Sequence, residues 1–135
     1  MGNQGLVIDT DVIVGYLRGR DDTLTGLFED KKLLYVSAVT AFELAYGAIK
    51  SKKPDAFKSL LKLLAYFTVL DFGGPEALKS AKVKRDLEKA GLPIDIRDTF
   101  IAATCLVNNL PLLTKNLKHF QRIKGLVLYR TSNNS

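Results

Sequence analysis

Cysteine, histidine and tryptophan are nearly missing from this chain. One cysteine, Cys105, stands among 135 residues. No disulfide framework can staple such a fold, which suits a reducing compartment and a cytoplasmic location. A single histidine, His119, and no Cys-x-x-Cys pair leave no ligand set for a zinc site. No apolar run reaches the roughly 18 residues that a membrane helix needs, so no membrane partner is expected. The opening MGNQGLVIDTD has no basic stretch and meets an acid at Asp9, unlike a signal peptide. Met1-Gly2 is compatible with myristoylation, but Leu6 stands where that signal needs Ser or Thr. Repeats, linkers and low-complexity blocks are absent as well.

What is present describes one domain, expected over 1–130, with a polar tail at 131–135 expected to be disordered. Hydrophobic residues make up 47% of the chain, enough for a real core. Twenty Lys and Arg against fourteen Asp and Glu give a net charge of +6. That balance draws polyanions such as nucleic acid, and it equally describes an ordinary basic protein.

Short apolar runs alternate with helical periodicity. Leu6–Ile8, Leu33–Val36, Phe67–Leu70 and Leu110–Thr114 are expected strands, and Leu126–Tyr129 a fifth. Between them, Thr10 or Asp11 can cap a helix that Gly19 ends, and a short helix is expected around Leu24, Leu27 and Phe28. Ser37 caps a helix over Ala38–Lys50, and Pro54 opens another through Phe57, Leu60, Leu61 and Leu64. Further helices run from Pro75 to about Ala90 and from the cap Asp95 to Asn108. The expected fold is α/β: a parallel sheet of four to five strands with helices on both faces. In such sheets functional groups gather at the carboxyl ends of the strands.

Acids stand at those ends. Asp9 closes the first strand; a helix N-cap is its plain role, yet three oxygen-bearing side chains in a row exceed what a cap requires. Glu43 sits mid-helix in AVTAFELAYGAI, with no Lys or Arg three or four residues away. That helix is apolar nearly all round, so Glu43 is expected to be half-buried and in need of a partner, of which a cation is one. Held among like charges, it should accept Gln without loss of metal-free stability. Asp98 lies in the first turn of the helix that Asp95 caps, with Asp95 as either cap or second ligand. Asn116 follows the fourth strand, as a turn residue or a neutral oxygen donor. Carboxylates converging at one sheet edge repel unless a divalent cation offsets them, and oxygen ligands select Mg²⁺ or Mn²⁺.

LVIDTDVIVGYLRG, SAVTAFELAYG, DIRDTFIAATCL and LLTKNLKHF, in that order, resemble a PIN domain, and most nearly the VapC-type ribonuclease toxins. The resemblance spans Leu6 to about Tyr129. It implies an endoribonuclease dependent on Mg²⁺ or Mn²⁺, the toxin of a VapBC-like type II toxin–antitoxin module. The family's catalytic set carries over onto Asp9, Glu43, Asp98 and Asn116, with Asp9, Asp98 and Glu43 as metal ligands. Asn116 replaces an acid common in the family. Thr10, Asp11 and Thr114 match supporting positions. Lys115, Lys118 and Arg122 are expected to hold the RNA backbone, or else to form a solvated positive loop. His119 is either a general base or simply packed beside Phe120, and Cys105 belongs to the core. The implied partners are RNA, a VapB-like antitoxin covering the site, and a second copy in a homodimer. Apolar surface between Ser37 and Leu64 suits either protein partner, or core. Two other readings stay open. Asp9-Thr10-Asp11 imitates the opening of haloacid-dehalogenase-type phosphatases, although Ile13 departs from that motif. A non-cleaving PIN-like module that binds RNA or protein is the second.

Overall fold

The computed structural model describes residues 5–131. Its elements alternate along the chain: β1 (Gly5–Ile8), α1 (Thr10–Leu17), α2 (Thr23–Glu29), β2 (Leu33–Ser37), α3 (Ala38–Lys50), α4 (Ala56–Leu64), β3 (Thr68–Leu70), α5 (Gly74–Lys89), α6 (Ile96–Asn108), β4 (Leu112–Leu113) and α7 (Leu117–Phe120). Residues 132–135 of the expected tail and the Met1-Gly2 pair lie outside the described residues.

The four strands form one parallel sheet in the order β3-β2-β1-β4. Alternation along β1 serves both faces. Leu6 and Ile8 pack with α1, α2, α3 and α4 through Val12, Ile13, Leu24, Leu44 and Leu60. Val7 packs on the other face with α5 and α6 through Val83, Leu87, Ile101 and Ala102. The chain runs outward from β1 to β2 and β3, then returns to lay β4 on the opposite edge of β1. The carboxyl ends of β1 and β4 therefore flank the point where strand order reverses, the place where parallel sheets open a crevice.

The expected fifth strand is reduced to a single parallel bridge between Leu112 and Leu128. Leu112 N donates to Val127 O and Tyr129 N to Leu112 O, and these two bonds exhaust what the two-residue β4 can pair. The helix after Pro54 starts only at Ala56, because a turn from Ala56 N to Lys53 O precedes it. Burial of α3 is also less complete than its composition suggests. Thr40 and Leu44 are buried, while Phe42, Tyr46 and Ile49 form an exposed stripe, Phe42 at 64%. Among the described residues no helix is long and apolar enough to cross a membrane.

Candidate active site

Asp9 is the first residue past β1 and the N-cap of α1. Its two oxygens do different work. Oδ1 accepts from Thr10 N at 2.7 Å, which is the cap; Oδ2 accepts from Thr114 Oγ1 at 2.6 Å, which ties β1 to the end of β4. Asp9, rather than Thr10 or Asp11, thus fills the capping role, and it does so while 5% exposed. Burial first, and then the nearby charge of Asp11, push its carboxyl up to about 7, against the pull of its two hydrogen bonds. Asp98 adds to that repulsion. Among the described residues Asp9 has no ion-pair partner.

Glu43 projects from α3 beside this crevice. Thr10 Oγ1 donates to Glu43 Oε1 at 2.7 Å and lies 2.9 Å from Thr40 Oγ1. Ser37, the N-cap of α3, accepts from Thr40 N at 3.0 Å, so hydroxyls of β2, α3 and α1 form one continuous support beneath the carboxylate. The other oxygen, Oε2, pairs with Arg97 Nη1 at 3.1 Å. The expectation that Glu43 sits among like charges alone therefore fails: its partner is a guanidinium from α6, 54 positions away in sequence.

Helix α6 carries the remaining acid. Asp95 caps it, accepting from Arg97 N at 2.8 Å, and that settles its role as the cap. The Asp98 carboxyl is raised by partial burial, then by the charge of Asp95, and Glu43 adds to the effect while His119 and Arg97 oppose it. His119 Nδ1 lies 4.0 Å from Asp98 Oδ2 and 2.9 Å from Asn116 Nδ2. His119 is thus not packed beside Phe120. Phe120 is fully buried, whereas the imidazole is 43% exposed and faces the acids.

The turn after β4 completes the site. Thr114 Oγ1 accepts from Asn116 N at 3.0 Å, and Lys115 N donates to Asp11 Oδ2 at 3.1 Å. Both supporting side chains expected at Thr10 and Thr114 hold a carboxylate directly. The three basic residues divide. Lys115 sends its ammonium back over Gly15 to Asp21 Oδ2 at 3.0 Å. Lys118 is exposed and Arg122 half-buried, with no ion pair among the described residues.

Thr114 thus joins Asp9, Asp11 and the Asn116 amide, Thr10 joins Glu43, and Asp98 acts on Asp9 through its charge, although among the described residues no three acidic, His or Cys side chains form a ready ligand cluster. The donors are all oxygen. The most deeply buried one is a carboxylate whose charge nothing cationic offsets. Oxygen donors of this kind suit a hard divalent cation. Sequence reasoning missed Arg97, Ser37 and Thr40. Arg97 gives no local signal, because its distant partner is brought near only by the packing of α3 against α6.

Beside Glu43 runs a cleft of about 490 Å³ between α1, α3 and α4, lined by Leu17, Leu44, Gly47 and Leu60 with Arg18 and Lys53 at its edges. The apolar surface expected between Ser37 and Leu64 is split. Leu60 and Leu63 are core, whereas Phe57 and Leu61 are exposed. Cys105 is buried in the core, and burial pushes its thiol up.

A PIN-domain profile matches residues 6–126. Ribonuclease VapC of Rickettsia bellii is 34% identical over 126 residues, covering 90% of this chain and 92% of that protein. Ribonuclease VapC1 of Methanocaldococcus jannaschii is 32% identical over 126 residues, covering 92% and 86%. Among solved structures, VapBC2 of Rickettsia felis bound to a promoter DNA fragment superposes with a TM-score of 0.84 at 27% identity, covering 94% of this chain and 98% of that one. The chain belongs to the PIN-domain family, in its VapC branch.

Proposed function

We propose that this protein is a metal-dependent endoribonuclease, the toxin of a VapBC-like toxin–antitoxin pair, with Asp9, Glu43, Asp98 and Asn116 as its catalytic set. The observation that carries the reading is the buried, cation-free carboxylate of Asp9 at the sheet's switch point, facing Asp98 in a chain related to ribonucleases along nearly its whole length.

Asp9 and Asp98 would hold Mg²⁺ or Mn²⁺, with Glu43 and Asn116 acting on it directly or through water. A divalent cation bound there supplies a water of lowered pKa and offsets charge on the scissile phosphate. The chain's own groups set the geometry. Thr114 fixes Asp9 Oδ2, Thr10 fixes Glu43 Oε1, and Asp11 anchors the Lys115 amide so that the turn presents Asn116. Lys118 and Arg122 hold the RNA backbone at the rim. Lys115 joins them only by leaving Asp21.

The VapB-like antitoxin lays an apolar helix in the cleft between α1, α3 and α4, where the exposed Phe57 and Leu61 extend the contact and Glu43 marks the path to the acids. A second copy in a homodimer covers further apolar surface, such as the stripe of Phe42, Tyr46 and Ile49. A phosphatase built on Asp9 as nucleophile is disfavoured by the PIN-domain match over residues 6–126. A non-cleaving module is disfavoured by the retention of three of the family's four acids, Asp9, Glu43 and Asp98.

The test is direct. The purified, antitoxin-free chain is incubated with structured and single-stranded RNA and with p-nitrophenyl phosphate, each with Mg²⁺, with Mn²⁺ and with excess EDTA. Cleavage of RNA alone, stopped by EDTA, supports the reading. Turnover of the phosphate ester without RNA cleavage overturns it.

A further inference from the structure

Arg97 has an unusual position for a residue at the mouth of an acidic crevice. Its guanidinium is held from behind by Asp95 in a two-point grip, Nε to Oδ1 at 3.1 Å and Nη2 to Oδ2 at 3.2 Å. The remaining nitrogen, Nη1, reaches forward to Glu43 Oε2 at 3.1 Å. Such a fork presents its charge at a fixed point and loses little further freedom on pairing. Glu43 Oε1 is meanwhile held by Thr10. Both oxygens of Glu43 are thus engaged, one by α1 and the other by α6.

We infer that Arg97 is an intramolecular competitor for the divalent cation: it neutralises Glu43 while the crevice is metal-free and must release that carboxylate when the ion binds. The inference rests on the proposed metal site and goes beyond it. It names the residue that sets how tightly the site takes its ion.

The asymmetry of the pair makes the exchange feasible. Arg97 is 59% exposed, so its released charge returns to water at small cost. Glu43 is 19% exposed and cannot stand unpaired cheaply, so one cation replaces another. Arg97 and Asp98 are neighbours on the first turn of α6, and each feels the other's charge and that of Glu43.

Calorimetric titration of Mn²⁺ into the full chain, stripped of divalent ions, reads this without any cleavage. Arg97→Ala is expected to bind Mn²⁺ about fivefold more tightly, the equivalent of one favourable exposed ion pair no longer broken. Arg97→Gln, which keeps the side-chain stem, gives the same direction and serves if the alanine variant loses its circular dichroism. In a Glu43→Gln background the Arg97 substitution changes affinity by less than about twofold, as expected when the interacting pair is already broken. Arg85→Ala, which removes an equal charge from α5 beside Glu88, leaves affinity unchanged. Unchanged or weaker Mn²⁺ binding by folded Arg97 variants, with normal binding by the parent, overturns the inference and leaves the metal site standing. Absence of Mn²⁺ binding in every chain overturns both.

Discussion

On its β1 side the acidic crevice is dry and built of fixed hydrogen bonds; on its α6 side it is wet and built of exchangeable charge contacts. Asp9 is buried, gripped at both oxygens by Thr10 and Thr114, and carries a carboxyl pushed up to about 7. Arg97 is exposed and Asp98 and His119 are partly so, and their contacts are an ion pair at 3.1 Å and a looser approach at 4.0 Å. The buried wall holds charge in place at the expense of stability. The exposed wall holds charge that ligands can displace. A metal site needs both, because a ligand set that is wholly satisfied without its ion has no reason to take one.

Breaking the buried wall gives the largest effects. Asp9→Asn removes a proposed metal ligand and is expected to lower RNA cleavage by orders of magnitude, yet to stabilise the metal-free fold. The sign follows from linkage. A carboxyl whose pKa rises from 3.8 to about 7 on folding adds no destabilisation below about pH 4, where it is protonated in both states. The destabilisation grows between about pH 4 and pH 7 and then levels off, at up to about 4 kcal/mol. Asp11 and Asp98 shift in the same direction, and Asp21 and Asp95 in the opposite one, but all four are common to both chains and largely cancel in the difference. Urea unfolding in EDTA should show the variant ahead at pH 8 and level with the parent at pH 4. An equal difference at both values would assign Asp9 a purely structural role.

Thr114→Val comes next. It leaves Asp9 Oδ2 without its donor in a buried place and should cost about 1–3 kcal/mol in urea unfolding. Glu43→Gln, on the boundary between the walls, gives up its pairing with Arg97. A stability loss under about 1 kcal/mol is expected, since the arginine is mostly exposed. The smallest effects belong to the rim cations. Lys118→Ala and Arg122→Ala should each flatten the salt dependence of single-stranded RNA affinity by about 0.7 in log–log slope. Lys115→Ala should leave the slope near the parent's, because its ammonium is occupied by Asp21. Fluorescence anisotropy across a salt series, in EDTA to prevent cleavage, separates the three.

The same division decides what was legible in the sequence. Helix α3 is marked by Ser37 at its start and runs over Ala38–Lys50 as expected, because local capping and helical spacing determine it. Asp9 meets Thr114, and Thr10 meets Glu43, because alternating strands and helices fix which end of the sheet each occupies. Four residues of α7 carry no periodic signal, and the strand expected at Leu126–Tyr129 depends on how short its partner β4 is. The sequence also shows that Glu43 lacks a basic neighbour on its own helix. It cannot show that Arg97 answers from α6, since ion pairs across helices depend on packing rather than spacing. Exposure on α3 escaped notice for a related reason: an apolar stripe reads alike whether the fold or a partner covers it.

The central claim is that Asp9 and Asp98, far apart in the chain, share one divalent cation that cleaves RNA. Asp98→Asn tests it most directly, with Mn²⁺ titration and RNA cleavage measured on the same preparation. The account predicts loss of both, with an unchanged circular dichroism spectrum. Full cleavage by that variant with undiminished Mn²⁺ affinity would contradict it.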